Sequence, residues 1–245
     1  MLVLFGMIVV VVGIVVARRH ASAVYDAVII RLTKQWYGAV LATFDDDATI
    51  LDIGIGTATA LVAHADVVKR KRLIIKGVDY EPAYIRTAAR RLREAGLDAE
   101  VRCEVRCASV YDAETLRALR PPKGFDGAYF SGSLTLMPDP VAALHAAAAV
   151  LGPRGRIHVT QTYQRRALPF LATLKPLLKY MTTIDFGQLT TETMAMNIFK
   201  TSGFTIIQHQ TIPGSVDTPL QAAYHTILAP NKTSVLEVKK ATNNT

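Results

Sequence analysis

The chain reads as an α/β protein with a doubly wound, seven-stranded sheet, mostly parallel with an antiparallel C-terminal hairpin, preceded by one N-terminal transmembrane helix. Three observations predict this. Short β-branched runs alternate with alanine-rich stretches between residues 45 and 230, the first run breaks at a glycine turn, and Met1–Ala17 carries no charge at all. With 245 residues and 50% apolar content, the chain holds one sizeable α/β core and not two. The expected organisation is an anchor over 1–20, one catalytic domain over 21–230 and a polar, disordered tail over 231–245.

As a helix, Met1–Ala17 would reach about 26 Å at ~1.5 Å per residue, workable in a ~30 Å hydrocarbon layer with snorkelling at its flanks. Arg18, Arg19, Arg31 and Lys34 follow it and no basic residue precedes it, so the positive-inside rule puts the catalytic domain in the cytoplasm on a single-pass anchor. Ala21-Ser22-Ala23 offers the competing reading of a cleaved signal peptide. Next, Val24, Val28, Leu32, Trp36 and Val40 recur at helical spacing, with Tyr25, Ile29 and Tyr37 widening the stripe. This helix flanks the sheet, and its aromatic residues either pack on the core or reach a ligand.

Ile50, Leu51 and Ile53 form a short buried strand, and Gly54 and Gly56 let the backbone turn and approach a ligand closely. A helix over Ala58–Val68 and a strand over Leu73–Val78 ending at Asp79 complete a βαβ unit. A carboxylate at that position can accept two hydrogen bonds from a ribose. Asp52, just before the glycines, would repel a pyrophosphate and welcome a cation, which points to a sulfonium.

Pro82 starts a helix continuing over Ala83–Ala95, with Arg86, Arg90 and Arg93 on one face. That stripe, or Lys69-Arg70-Lys71-Arg72, is either a solvated face or a contact with anionic headgroups. Val101, Cys103, Val105 and Cys107 alternate with charged residues as a strand whose cysteines point inward; no His or Cys pair supplies a metal site. Phe125–Phe130 is the fourth strand, Asp139 caps a helix opening at Pro140, and Arg156–Thr160 is the fifth strand. A helical stretch at Leu168–Met181 follows, then a helix over Thr191–Thr201 stopped by Gly203, and strands Phe204–Gln210 and Ala222–Leu228.

L-D-I-G-I-G, at Leu51–Gly56, resembles the first motif of the class I S-adenosylmethionine-dependent methyltransferases. The resemblance continues through G-V-D-Y-E-P at Gly77–Pro82, C-A-S-V-Y-D at Cys107–Asp112, F-D-G-A-Y-F-S-G-S-L at Phe125–Leu134 and L-G-P-R-G-R-I-H-V-T at Leu151–Thr160. It implies that S-adenosylmethionine is the cofactor. Asp52, Gly54 and Gly56 would hold its methionine part and Asp79 its ribose, with Tyr80, Ser109, Val110 and Ser131 completing the pocket.

Methyl transfer needs alignment more than a dedicated catalytic residue, and His158, Tyr129 or Tyr163 would be positioned as a base for a hydroxyl acceptor. His64, His145 and His209 are assigned no role. A membrane anchor raises the effective concentration of acceptors in or near the bilayer, so a small-molecule or lipid-like substrate is expected. The net charge of +8 is dispersed, and the (Asp/Asn)-Pro-Pro-aromatic tetrad of amino methyltransferases is missing, so nucleic acid is disfavoured as a partner. The alternatives are an NAD(P)-dependent oxidoreductase, which leaves Asp52 unexplained and lacks its Tyr-x-x-x-Lys pair, and a catalytically inactive membrane-tethered scaffold.

Overall fold

Alternating β-branched and alanine-rich segments become alternating strands and helices in the computed structural model, which describes residues 31–98, 102–165 and 191–231. The anchor, the helical stretch at Leu168–Met181 and the tail beyond Asn231 lie outside the described residues. Among the described residues no helix is long and apolar enough to cross a membrane.

Helix α1 runs through 31–43. It is followed by β1 (Thr49–Ile53), α2 (Thr59–Val62), α3 (Ala65–Arg70), β2 (Ile74–Asp79), α4 (Pro82–Glu94), β3 (Cys103–Cys107) and α5 (Ala113–Leu119). The second half comprises β4 (Phe125–Ser131), α6 (Pro140–Ala149), β5 (Leu151–Gln164), α7 (Glu192–Thr201), β6 (Phe204–Thr211) and β7 (Gln221–Pro230). The seven strands lie in the order β3-β2-β1-β4-β5-β7-β6. All pairings are parallel except those of β7, which runs antiparallel to both β5 and β6.

Both faces of the sheet are covered, so its central strands are apolar on both sides. Leu51 and Ile53 join Ala128, Phe130, Ile157 and Val159 beneath α5, α6 and α7, while Ile50 and Tyr129 pack against Tyr37, Val40 and Leu41 of α1 and Phe44 just after it. Each such aliphatic or aromatic side chain contributes about 1.5–3 kcal/mol by leaving water. Asp52 falls on the α1 face by the same alternation, two residues on from Ile50.

Most boundaries agree with the sequence reading, and four features differ. The helix expected over Ala58–Val68 is two short helices, because the His64 ring turns away to bond the Lys34 carbonyl of α1 through Nε2 at 2.7 Å, against Gly38. Strand β5 is far longer than Arg156–Thr160, because β7 pairs with it from Ile157 to Gln164. Cys103 is buried as expected, but Cys107 is exposed at the end of the edge strand β3. Asn231, placed in the tail, is tied to the domain by its amide N–H donating to the Gly203 carbonyl at 3.2 Å.

The basic run at the end of α3 is a solvated face at Lys69, Arg70 and Arg72, and Lys71 is the member turned into the domain. Lys71 Nζ donates to the carbonyls of Leu41, Ala42 and Phe44 at 3.1, 2.9 and 2.6 Å, closing the C-terminus of α1, and Lys69 Nζ donates to Ala95 at the end of α4. Arg72 pairs with Asp47 at 2.7 Å and Arg70 with Asp66 at 3.7 Å. Headgroup contact through this run would break bonds that hold α1 and α4. Lys71→Met is expected to lower the unfolding free energy by about 1–2 kcal/mol, since three helix carbonyls lose a charged donor; urea denaturation measures it.

Candidate cofactor site

The turn after β1 exists because three of its positions are left-handed: Gly54 (φ 76°), Gly56 (φ 59°) and Ala58 (φ 55°). Its first two amides, of Gly54 and Ile55, donate to the Val78 carbonyl at 2.8 and 3.2 Å, which pins it to β2. The two glycines serve different ends. A Cβ on Gly54 would lie 2.6 Å from the Ser133 Cβ, and Ser133 Oγ donates to the Ile53 carbonyl at 2.6 Å, so close packing with the β4 exit demands glycine there. A Cβ on Gly56 would meet nothing within 4 Å, so that glycine faces open space. From behind, Arg91 of α4 donates to the Thr57 carbonyl and the Thr59 hydroxyl.

Asp79 ends β2 beneath the same turn. Its Oδ2 accepts from the Gly56 amide at 2.9 Å and its Oδ1 from the Glu81 amide at 3.0 Å, which orients the carboxylate and leaves further lone pairs for hydroxyl donors. Tyr80 beside it is 79% exposed. Ser109, in the loop after β3, is exposed and accepts from the Tyr111 amide at 3.2 Å. Val110 turns its side chain into the core with Leu116 and Leu119, because residues alternate inward there, so it offers this edge only backbone.

Asp52 is buried at the centre of the sheet, and its Oδ2 accepts from the Tyr37 hydroxyl at 2.6 Å. Tyr37 in turn packs edge-on to Tyr129, whose hydroxyl shares a hydrogen bond with Thr160 at 2.9 Å. Burial pushes the Asp52 carboxyl up to about 7; the Tyr37 hydrogen bond opposes that rise and the Asp79 charge adds to it. Burial likewise raises Tyr37 well above the ordinary phenol, helped by the negative charge of Asp52. Two buried side-chain polar atoms among the described residues lack any hydrogen-bond partner, Asp52 Oδ1 and Ser131 Oγ. Ser131 lies beside Tyr129 and opposes the rise that burial gives the Tyr129 phenol. Asp52 and Ser131 sit at the C-terminal ends of the adjacent strands β1 and β4, where open α/β sheets bind ligands.

The geometry thus gathers Asp52, Gly54, Gly56, Asp79, Tyr80 and Ser131 at one sheet edge. Of the three candidate bases, Tyr129 stands beside Asp52 in the register of β1 and β4, and all three are buried. Tyr129 and Tyr163 are each 1% exposed, and burial raises both phenols. His158 donates to or accepts from His225 at 3.0 Å within the core, and burial lowers it to about 3. Tyr37 is the residue that sequence reasoning saw only as one of two options; its helical phase with Val40 and Leu41 was the available signal. Among the described residues no group of three His, Cys, Asp or Glu side chains could hold a metal ion.

A sheet in this order, with the strand next to the edge reversed, is a Rossmann-like α/β fold distinct from the all-parallel dinucleotide type. The chain belongs to the methyltransferase domain family, which matches residues 44–231. Methyltransferases of this family use S-adenosylmethionine. Solved structures share the fold at low identity. The (4+2)-cyclase SpnF superposes with a TM-score of 0.60 at 18% identity over 82% of this chain and 81% of its own. The mitomycin 7-O-methyltransferase MmcR gives 0.57 at 20%, over 80% and 53%. An S-adenosylmethionine-dependent methyltransferase from Geobacter sulfurreducens, crystallised with S-adenosylhomocysteine, gives 0.57 at 13%, over 81% and 90%. No curated protein matches the sequence.

Two predictions follow from the turn and the acid. Gly54→Ala should lose about 2–3 kcal/mol of stability from a clash added to left-handed strain, whereas Gly56→Ala should lose only about 1 kcal/mol, both read by urea unfolding. Because the folded carboxyl titrates near 7, well above the unfolded value, Asp52 favours folding below about pH 4 and loses that contribution as pH rises to about 7. Asp52→Asn should therefore be more stable than the wild type at about pH 8, by on the order of 2 kcal/mol, and lose the advantage towards about pH 4; parallel thermal melts across pH measure the crossover.

Proposed function

We propose that the protein is a membrane-tethered methyltransferase that moves the methyl group of S-adenosylmethionine to a small-molecule or lipid-like acceptor on the cytoplasmic side of a membrane. The observation that carries the cofactor part is the pair of buried, unpartnered polar atoms, Asp52 Oδ1 and Ser131 Oγ, at the mouth of a glycine turn. A buried polar atom without a partner costs about 1–3 kcal/mol, so this edge is built for a further polar group. Asp52 and the glycine turn would hold the methionine end, Asp79 the ribose, and Tyr80, Ser109 and the Val110 backbone the adenine. When bound, the cofactor supplies an electrophilic methyl group with a neutral thioether as leaving group. The chain supplies alignment and exclusion of water.

The acceptor part rests on the surroundings of that edge. Tyr80, Tyr111 and Leu136, 79%, 39% and 56% exposed, sit in the loops that follow β2, β3 and β4 and give it an apolar rim. Of the one dense basic run, Lys71 is engaged within the domain, while Lys69, Arg70 and Arg72 stay at the surface with partners of their own. The apolar Met1–Ala17 run and the basic residues after it support tethering with the domain in the cytoplasm.

Calorimetry of the full chain in detergent, titrated separately with S-adenosylmethionine, S-adenosylhomocysteine and NADH, tests the reading. Binding of both adenosyl compounds and not of NADH is expected. Binding of NADH alone would make the protein a dinucleotide enzyme, and binding of none would make it a scaffold. Deletion of residues 1–20 should move the protein from alkali-washed membranes to the supernatant; retention on the membrane would overturn the tether.

A further inference from the structure

The turn after β1 has already committed most of its own donors. The amides of Gly54 and Ile55 go to the Val78 carbonyl, that of Gly56 to Asp79 Oδ2 and that of Ala58 to the Ile55 carbonyl. Across 54–58 this leaves the Thr57 amide without a partner among the described residues. Phosphate-binding loops hold an anion with several free amides, and this turn has one. Helix α2 behind it is a single turn of four residues, so it adds little dipole.

The amino-acid end of the proposed cofactor nevertheless carries an anion, its carboxylate, beside its ammonium. Asp52 and Asp79, on β1 and β2, suit cations and hydroxyls and repel that carboxylate. The cation that touches the turn is Arg91 of α4, half-buried and with no acidic partner among the described residues. Its Nη1 donates to the Thr57 carbonyl at 3.4 Å and to the Thr59 hydroxyl, and the Thr59 and Thr57 hydroxyls share a hydrogen bond of 2.8 Å. A guanidinium only donates, so it turns the Thr59 proton away towards the Thr57 oxygen and leaves the Thr57 proton free. Thr57 follows Gly56, at which a Cβ would meet nothing within 4 Å.

We propose that Arg91 is a positioning residue for the cofactor's carboxylate: acting through Thr59, it polarises the Thr57 hydroxyl, which with the Thr57 amide receives that group. The site thereby selects adenosyl compounds whose amino acid is intact. This rests on the proposed cofactor reading. It divides the amino-acid end between two sides of the turn, the ammonium towards Asp52 and the carboxylate towards Thr57.

The test is calorimetry of the full chain in detergent with S-adenosylmethionine and with its decarboxylated form, which keeps the sulfonium, the ammonium, the sugar and the base. The wild type should bind the carboxylate-bearing compound about tenfold more tightly. Arg91→Met should weaken that compound about tenfold and the decarboxylated one less than about twofold, so that the preference disappears. Thr59→Val should do the same without removing the charge, and Thr59→Ser, which restores the hydroxyl, should keep the preference. If Arg91→Met does not fold, the two Thr59 variants decide. Equal weakening of both compounds in Arg91→Met or Thr59→Val is what a merely structural brace predicts. That result, or a wild type indifferent to the carboxylate, would overturn the inference and leave the cofactor reading intact. Binding of neither compound by the wild type would overturn both.

Discussion

The site depends on a carboxylate enclosed at the centre of a parallel sheet with no positive partner among the described residues. Strand β1 lies between β2 and β4 with helices on both faces, so whatever side chain occupies position 52 is cut off from water. In most strands that place would take an aliphatic residue, as Ile50 does on the same face. An acid there raises the free energy of the empty pocket, and the surroundings temper this only in part. Tyr37 donates one short hydrogen bond, Asp79 opposes ionisation, and one oxygen is left with no donor. Folding alone does not call for such an arrangement, and cores usually avoid it. Its persistence at a strand end beside a glycine turn is intelligible as function, with local destabilisation offset elsewhere in the core.

The second acid works differently and makes the contrast clear. Asp79 is fixed by two backbone amides, one from the turn and one from the start of α4, so its position is set before any ligand arrives. Asp52, on β1, is set by the Tyr37 side chain of α1. One acid is a rigid fixture of the βαβ unit, and the other responds to how α1 lies on the sheet.

Much of this was legible in the sequence because it lives in short-range patterns. Gly54 and Gly56 announce left-handed backbone, Asp79 closes a strand whose apolar run is plain, and Asp139 with Pro140 marks the start of α6. What escaped depends on contacts between distant segments. The inward face of Cys107 was misjudged because alternation says which residues share a face but not how far the covering helix extends along an edge strand. The His64 break in the second helix needs a carbonyl 30 residues away. The general-base candidates were named for their strand positions, and only burial separates a residue near an edge from one beneath it: His158 pairs with His225 from β7, a contact that spans 67 positions.

Helix α1 is the element that joins these threads. Consecutive residues on it reach two different places: the Trp36 indole donates to Ser215 at 3.0 Å in the β6–β7 loop, and the Tyr37 hydroxyl donates to Asp52 in β1. The Trp36 ring also lies over Gly132 at the exit of β4, where any Cβ would approach it to 3.2 Å. The helix therefore spans the edge at which the two unpartnered atoms sit, and it supplies the low-dielectric cover that sets the Asp52 titration. Removing that cover would admit water to the carboxylate and return it towards an ordinary acid, whatever the glycine turn did. The electrostatics of the pocket are thus governed by an element that precedes the first recognisable motif, and α1 is also the stretch that connects residues 1–30 to the sheet.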